Sequence, residues 1–208
     1  MTLQISRCEL ILGGQKSGKS RRAEQLARIW LTASTAHRAV LIATAQPWDD
    51  EMRQRIARHQ CDRAERVPGL RTVEEPLALV EAIQKHSRPD TLVMVDCLTL
   101  WLTNLRMPMH PSAPRAGQQN DYSDDFKQIR AKAPVDKAYI AMLLGAIDAA
   151  PGPLVLVGNE IGLGVIPMGA EVRAFVDALG QLNQDVAQAC ARVTLMAAGL
   201  PLNLKNSS

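Results

Sequence analysis

Residues Gly13-Gly14-Gln15-Lys16-Ser17-Gly18-Lys19-Ser20 set two glycines, a lysine and a hydroxyl at the spacing G-x-x-x-x-G-K-[ST]. This spacing suits phosphate. Gly13 and Gly18 let the backbone turn tightly with N–H groups pointing inward. A helix starting here adds positive potential at its N-terminus. Lys19 is long enough to reach the β- and γ-phosphates, and the Ser20 hydroxyl is a ligand for Mg²⁺. The flanking elements are legible too. Leu10-Ile11-Leu12 predicts a buried strand over residues 8–12, and Arg21 to Ala27 predicts a helix reaching about Leu31. A bare Gly-rich turn is the alternative, and the strand and helix in place weigh against it. The loop implies a nucleoside triphosphate without fixing the chemistry.

Other reactive side chains fall at the ends of apolar runs. Asp96 closes Leu92-Val93-Met94-Val95, where the second acidic residue of phosphate-loop proteins holds Mg²⁺ or its waters. It could equally cap the helix expected from Leu98. Thr44 and Gln46 follow a second run, and Asn159-Glu160 a further one; Glu160 could equally be a solvated turn residue. His59 stands among cations, with Arg55, Arg58 and Arg63 close in sequence. One reading is a solvated helical face with an incidental histidine. The other has arginines holding phosphates while a neutral imidazole, favoured by those cations, attacks phosphorus.

The elements that must position these groups alternate. Strands are predicted at 8–12, 38–45, 71–73, 91–96, 154–160, 193–197 and 199–205. Helices are predicted from about 21 to 31, about 49–60, 76–86 with Pro76 at the first position, from 98, 135–149 and 169–191. Residues 61–75 read as mostly loop, punctuated by Pro68-Gly69. This pattern predicts an α/β fold, a mostly parallel sheet covered on both faces. Ligands in such a sheet bind at the carboxyl ends of the strands. At Arg106 the composition shifts to proline, glycine and polar residues, so 106–134 reads as a surface insertion in a single domain spanning 1–208.

Composition narrows the function classes. Lys and Arg number 24 against 21 Asp and Glu, scattered rather than clustered, and aromatics are 3%. This weighs against a nucleic-acid stacking platform. Four separated cysteines without a C-x-x-C pair argue against zinc and a disulfide scaffold and fit a reducing cytoplasm. No apolar run reaches membrane-spanning length, and the N-terminus lacks a signal-peptide pattern.

Taken in order, several segments resemble one family. They are the phosphate loop, Ile42-Ala43-Thr44-Ala45-Gln46 with Asp49-Asp50-Glu51-Met52, Arg55-Ile56-Ala57-Arg58-His59, Arg71-Thr72-Val73-Glu74-Glu75-Pro76, Val95-Asp96-Cys97-Leu98-Thr99-Leu100-Trp101, and Gly158 through Pro167. Leu182-Asn183-Gln184 and Ala198-Gly199-Leu200-Pro201-Leu202 match as well. Together they resemble the bifunctional adenosylcobinamide kinase / adenosylcobinamide-phosphate guanylyltransferase family of cobalamin biosynthesis, over nearly the whole chain except 106–134.

The resemblance implies a RecA-like phosphate-loop fold and two reactions. A nucleoside triphosphate, ATP or GTP, phosphorylates adenosylcobinamide. GTP then transfers GMP to an enzyme histidine, and the phosphorylated corrinoid takes it up as adenosylcobinamide-GDP. By resemblance the guanylylated histidine is His59, and Lys19 serves the kinase step. The GTP contacts are residues 13–20, Ala43, Thr44, Ala45, Gln60, Arg63 or Arg66, Glu74 and Asp96, with Ser20 and Asp96 on Mg²⁺. A homo-oligomer, as a trimer, is implied as well. A small-molecule kinase without transferase activity, or a nucleotide-dependent binding protein, would share the loop but lack the histidine adduct.

Overall fold

The computed structural model describes residues 4–46, 50–106 and 137–206. Within one helix it leaves the side chains of Glu51, Met52, Arg55, Ile56 and His59 outside the described set. The strands are β1 (Cys8–Gly13), β2 (Arg38–Ala43), β3 (Leu70–Glu74), β4 (Thr91–Asp96), β5 (Leu154–Val157), β6 (Arg192–Ala197) and β7 (Leu200–Asn206). The helices are α1 (Lys19–Ala33), α2 (Asp50–Arg66), α3 (Leu79–His86), α4 (Leu98–Arg106), α5 over residues 137–149, and α6 (Ala170–Ala189).

The seven strands form one sheet in the order β3-β2-β4-β5-β1-β6-β7, parallel except for antiparallel β7. This is the predicted α/β architecture. Its central strands are continuous apolar runs because both faces are covered. Side chains alternate between faces. Leu10 and Leu12 of β1 point into a core with Leu79 and Ile83 of α3, Trp101 of α4, Leu143 of α5 and Leu182 of α6. Ile11 points the other way, onto Ala23, Leu26 and Ala27 of α1. Those three lie at i, i+3 and i+4, which turns one stripe of α1 to the sheet.

Three expectations need correction. The loop predicted over 61–75 is helical as far as Arg66, because Arg66 pairs with Asp62 one turn back and with Glu24 of α1 at 3.0 and 3.1 Å. Pro76 does not open α3. The Glu75 carboxylate accepts the N–H groups of Leu77 and Ala78 at 3.1 and 2.8 Å, and the helix starts only at Leu79. The fold also pairs Cys8 with Cys190 in a disulfide, Cα atoms 4.8 Å apart, where no disulfide was expected. Their sequence separation of 182 leaves no local spacing to read; adjacency of β1 and β6 brings them together. The expected insertion falls almost wholly outside the described residues.

Gly180 sits mid-way along α6, and a Cβ there would meet nothing within 4 Å. Glycine in a helix interior is unfavourable relative to alanine. Gly180→Ala is therefore expected to raise stability by about 0.5–1 kcal/mol, read as a higher melting temperature.

Candidate active site

The loop between β1 and α1 is strained in the way phosphate cradles require. Gly13 has φ 152° and Gly18 φ 101°, and Lys16 also takes a left-handed φ of 56°. A Cβ on Gly13 would lie 2.5 Å from the Met196 carbonyl oxygen and 2.6 Å from Ser17 Oγ, so any larger residue would push the loop off β6. Gly14, Gln15 and Lys16 are exposed, whereas Ser17 is buried. Lys19 is 8% exposed, and its Nζ donates to the carbonyls of Gly13 and Gly14 at 2.9 and 2.5 Å. Burial lowers its pKa, opposed by the nearby Cys97 and Asp96. Behind the loop, Arg22 donates to the buried Glu9 of β1 at 2.9 Å, and Glu9 also accepts from Thr194 of β6 at 2.9 Å, which fixes α1 on the sheet.

Across β5, Ser20 Oγ donates to Asp96 Oδ2 at 3.0 Å. The two residues predicted to share a metal are thus neighbours, although 76 positions apart in sequence. The pair offers only oxygen, the donor type that hard cations take. Among the described residues no cluster of three or more His, Cys, Asp or Glu could hold a metal, so an ion here would need phosphate and water as further ligands.

Asp96 is itself held from behind. Thr44 Oγ1 donates to the Cys97 carbonyl at 2.7 Å and accepts the Cys97 N–H at 2.8 Å, while the Thr44 N–H donates to the Asp96 carbonyl at 3.1 Å. Asn104 Nδ2 then donates to the Thr44 carbonyl at 2.8 Å. The peptide between Asp96 and Cys97 is cis. Thr44, predicted as a nucleotide contact, is fully buried, and its hydroxyl is committed to positioning the Asp96 turn. Thr44→Val keeps the shape and removes both bonds, leaving buried backbone groups without partners. It is expected to cost about 1–3 kcal/mol, read from the urea midpoint.

The strand register lines up more predicted residues. Asp96 of β4 pairs with Ala43 of β2, and Ala43 with Glu74 of β3, so all three share one row at the carboxyl edge. Ala45 follows in the turn and is half-buried. Gln60 of α2 donates to Glu74 at 2.8 Å, joining two predicted contacts directly. Lower on α2, Arg66 reaches the buried Glu24 of α1. Burial raises the Glu24 pKa, opposed by the charges of Arg66 and then Arg63. His59 lies on the same helix, adjacent to Gln60; its side chain is outside the described set.

Sequence reasoning did not single out Asn104 or Thr99. Thr99 Oγ1 accepts the Asn159 N–H at 2.8 Å and so ties the turn after β5 to α4. A polar residue inside the apolar stretch 98–105 was the available signal for each. On the far side of β1, a cleft of about 400 Å³ opens between Gly14–Ser17, Glu160, Leu163 and Leu195–Ala198.

Comparison with known proteins decides what this arrangement belongs to. The family described as CobU, cobinamide kinase / cobinamide phosphate guanyltransferase, matches residues 9–204. The chain belongs to that family. It is 42% identical over 197 residues to the bifunctional adenosylcobalamin biosynthesis protein CobP of Pseudomonas aeruginosa, covering 95% of this chain and 96% of that protein. It is 34% identical over 196 residues to the protein of the same description, CobU, of Escherichia coli, covering 94% and 98%. The Salmonella typhimurium CobU is 33% identical over 196 residues, with 94% and 98% covered. Membership in the cobinamide kinase / cobinamide phosphate guanyltransferase family makes this chain a bifunctional transferase of cobalamin biosynthesis. Among the described residues, no helix is long and apolar enough to cross a membrane.

Proposed function

We propose that the chain phosphorylates adenosylcobinamide with ATP or GTP and then carries GMP on His59 to the phosphorylated corrinoid. The observation that carries the kinase half is the intact phosphate loop, with Lys19 inside it and Ser20 bonded to Asp96. The corrinoid alcohol oxygen attacks the γ-phosphorus, the bond to the β-phosphate oxygen breaks, and a nucleoside diphosphate leaves. Lys19 stabilises the charge on the moving phosphoryl group, and the loop N–H groups hold the phosphates in line. Ser20 and Asp96 would hold Mg²⁺, which neutralises phosphate charge when bound.

In the transferase half an imidazole nitrogen of His59 attacks the α-phosphorus of GTP and pyrophosphate leaves. A phosphate oxygen of the phosphorylated corrinoid then attacks the guanylyl phosphorus, and the N–P bond breaks. Gln60, Glu74, Ala43, Ala45 and Arg63 are the proposed surroundings of that nucleotide. The support for Ala43, Glu74 and Gln60 is the shared row at the carboxyl edge and the Gln60–Glu74 hydrogen bond; Ala45 follows Ala43 in the turn after β2, and Arg63 comes from the resemblance and its place on α2 after Gln60. Thr44 enters through its grip on Asp96 rather than as a side-chain contact.

We assign the chain a single domain, with 106–134 as a surface insertion, and a cytoplasmic site of action. A homo-oligomer, as a trimer, is proposed as well; the exposed apolar side chains of β7, Leu200, Leu202 and Leu204, support self-association. Incubation with adenosylcobinamide, GTP and Mg²⁺ tests the function, with the corrinoid product weighed by mass spectrometry. Adenosylcobinamide-GDP is expected. Product stopping at the monophosphate would leave a kinase alone, and an unmodified corrinoid would remove both reactions.

A further inference from the structure

The nucleotide chemistry leaves three of the resembling segments unused: 158–167, 182–184 and 198–202. All three border the far side of β1, away from α2. A second cleft of about 630 Å³ lies there between α6, the turn after β5 and the sheet edge. It meets the cleft at the phosphate loop, since Glu160 and Leu163 line both. The two therefore form one trough ending at Gly14–Ser17.

We propose that this trough seats the corrinoid acceptor, with the macrocycle in the second cleft and its alcohol arm running past Glu160 to the phosphate loop. The inference rests on the proposed function, because the acceptor class comes from it. The lining has the matching chemistry. It combines apolar side chains, Leu12, Ala187, Val193 and Leu204, with the carboxamides of Asn183, Gln184 and Gln188. A corrinoid presents apolar ring faces fringed by carboxamide chains. Apolar contact plus a few placed polar groups is how such pockets recognise ligands. Lys205 lines the wall but donates to the carbonyls of Ala187 and Gln188 at 3.0 and 2.9 Å, so its charge is committed to the end of α6.

Asn183 lines the cleft, and its Nδ2 donates to the Asn159 carbonyl at 3.1 Å, which ties α6 to the turn that carries Glu160. One further observation points to a ligand. Gly180 lines the cleft in the middle of a helix with open space where its side chain would be. A helix gains from alanine at such a point unless something must approach its backbone closely. At the junction Leu163 is 80% exposed, and on the same turn Val165 and Met168 are 95% and 97% exposed, apolar surface left open beside the trough.

Equilibrium dialysis against adenosylcobinamide, read from corrin absorbance, tests the seat. Gly180→Phe fills the cleft from open space, and Leu163→Asp charges its junction with the loop. Each is expected to weaken corrinoid binding by about tenfold or more, with labelled GMP uptake from GTP alone and the circular dichroism unchanged. Wild-type affinity in both folded variants would overturn the proposal. So would unchanged corrinoid affinity with an altered sedimentation coefficient, which would give the face to a second copy of the chain. A wild-type protein that takes up GMP and binds corrinoid, with variants that do so equally, removes the seat alone. A wild-type protein that does neither removes the function reading and the seat with it.

Discussion

Lys19→Ala is expected to lose kinase turnover by roughly 10²–10³-fold, equivalent to about 3–4 kcal/mol of transition-state stabilisation. The Lys19 ammonium is held inside the loop by the Gly13 and Gly14 carbonyls, at the point where phosphate charge must be met. Burial leaves it 8% exposed and lowers its pKa, so little reorganisation remains during reaction. The fold should persist, because α1 is held independently by Arg22 on Glu9 and by Ala23, Leu26 and Ala27 on the sheet. Lys19→Arg should rescue poorly, since a planar fork does not replace a compact ammonium between two carbonyls. Steady-state phosphorylation of adenosylcobinamide, with circular dichroism as the folding control, checks this. Wild-type turnover in Lys19→Ala would take the residue out of the mechanism.

His59→Ala should have the larger effect on the second reaction: no guanylyl transfer above background. Covalent transfer needs a nucleophile that holds GMP between two half-reactions, and a neutral imidazole forms a bond reactive enough to pass it on. The same variant should keep adenosylcobinamide phosphorylation within about threefold of wild type, because the phosphate-loop groups carry that step. Protonation removes the attacking lone pair, so wild-type transfer should fall on the acid side while the adduct, once formed, is released by acid. Equal loss of both reactions in His59→Ala would place His59 in shared nucleotide binding rather than in covalent transfer.

Much of the frame was legible because β1, β2, β4 and β5 are apolar runs buried on both faces, a pattern needing no tertiary information. The phosphate loop and Asp96 followed from their places at strand ends. What failed was set by long-range partners. Pro68-Gly69 suggested that α2 had already given way to loop, but Glu24, some forty positions earlier, draws Arg66 into a further helical turn. Pro76 looked like a helix start, but the Trp101 indole donates to the Leu77 carbonyl at 3.0 Å and Asn104 to the Pro76 carbonyl at 3.1 Å, holding that segment irregular. That the Thr44 hydroxyl bonds Cys97 had no local signal either, because Cys97 lies 53 residues on. The Ser20–Asp96 pair was legible because both ends belong to known strand-end positions.

The most direct test of the covalent route is the site of GMP attachment. The protein is incubated with α-labelled GTP without corrinoid, digested at neutral pH, and the labelled peptide is sequenced by mass spectrometry. One acid-labile GMP on His59 is expected, released onto adenosylcobinamide phosphate when that is added, with no label on the His59→Ala protein. Label persisting on His59→Ala, at His37, His86 or His110 or at Lys16 or Lys19, would contradict it.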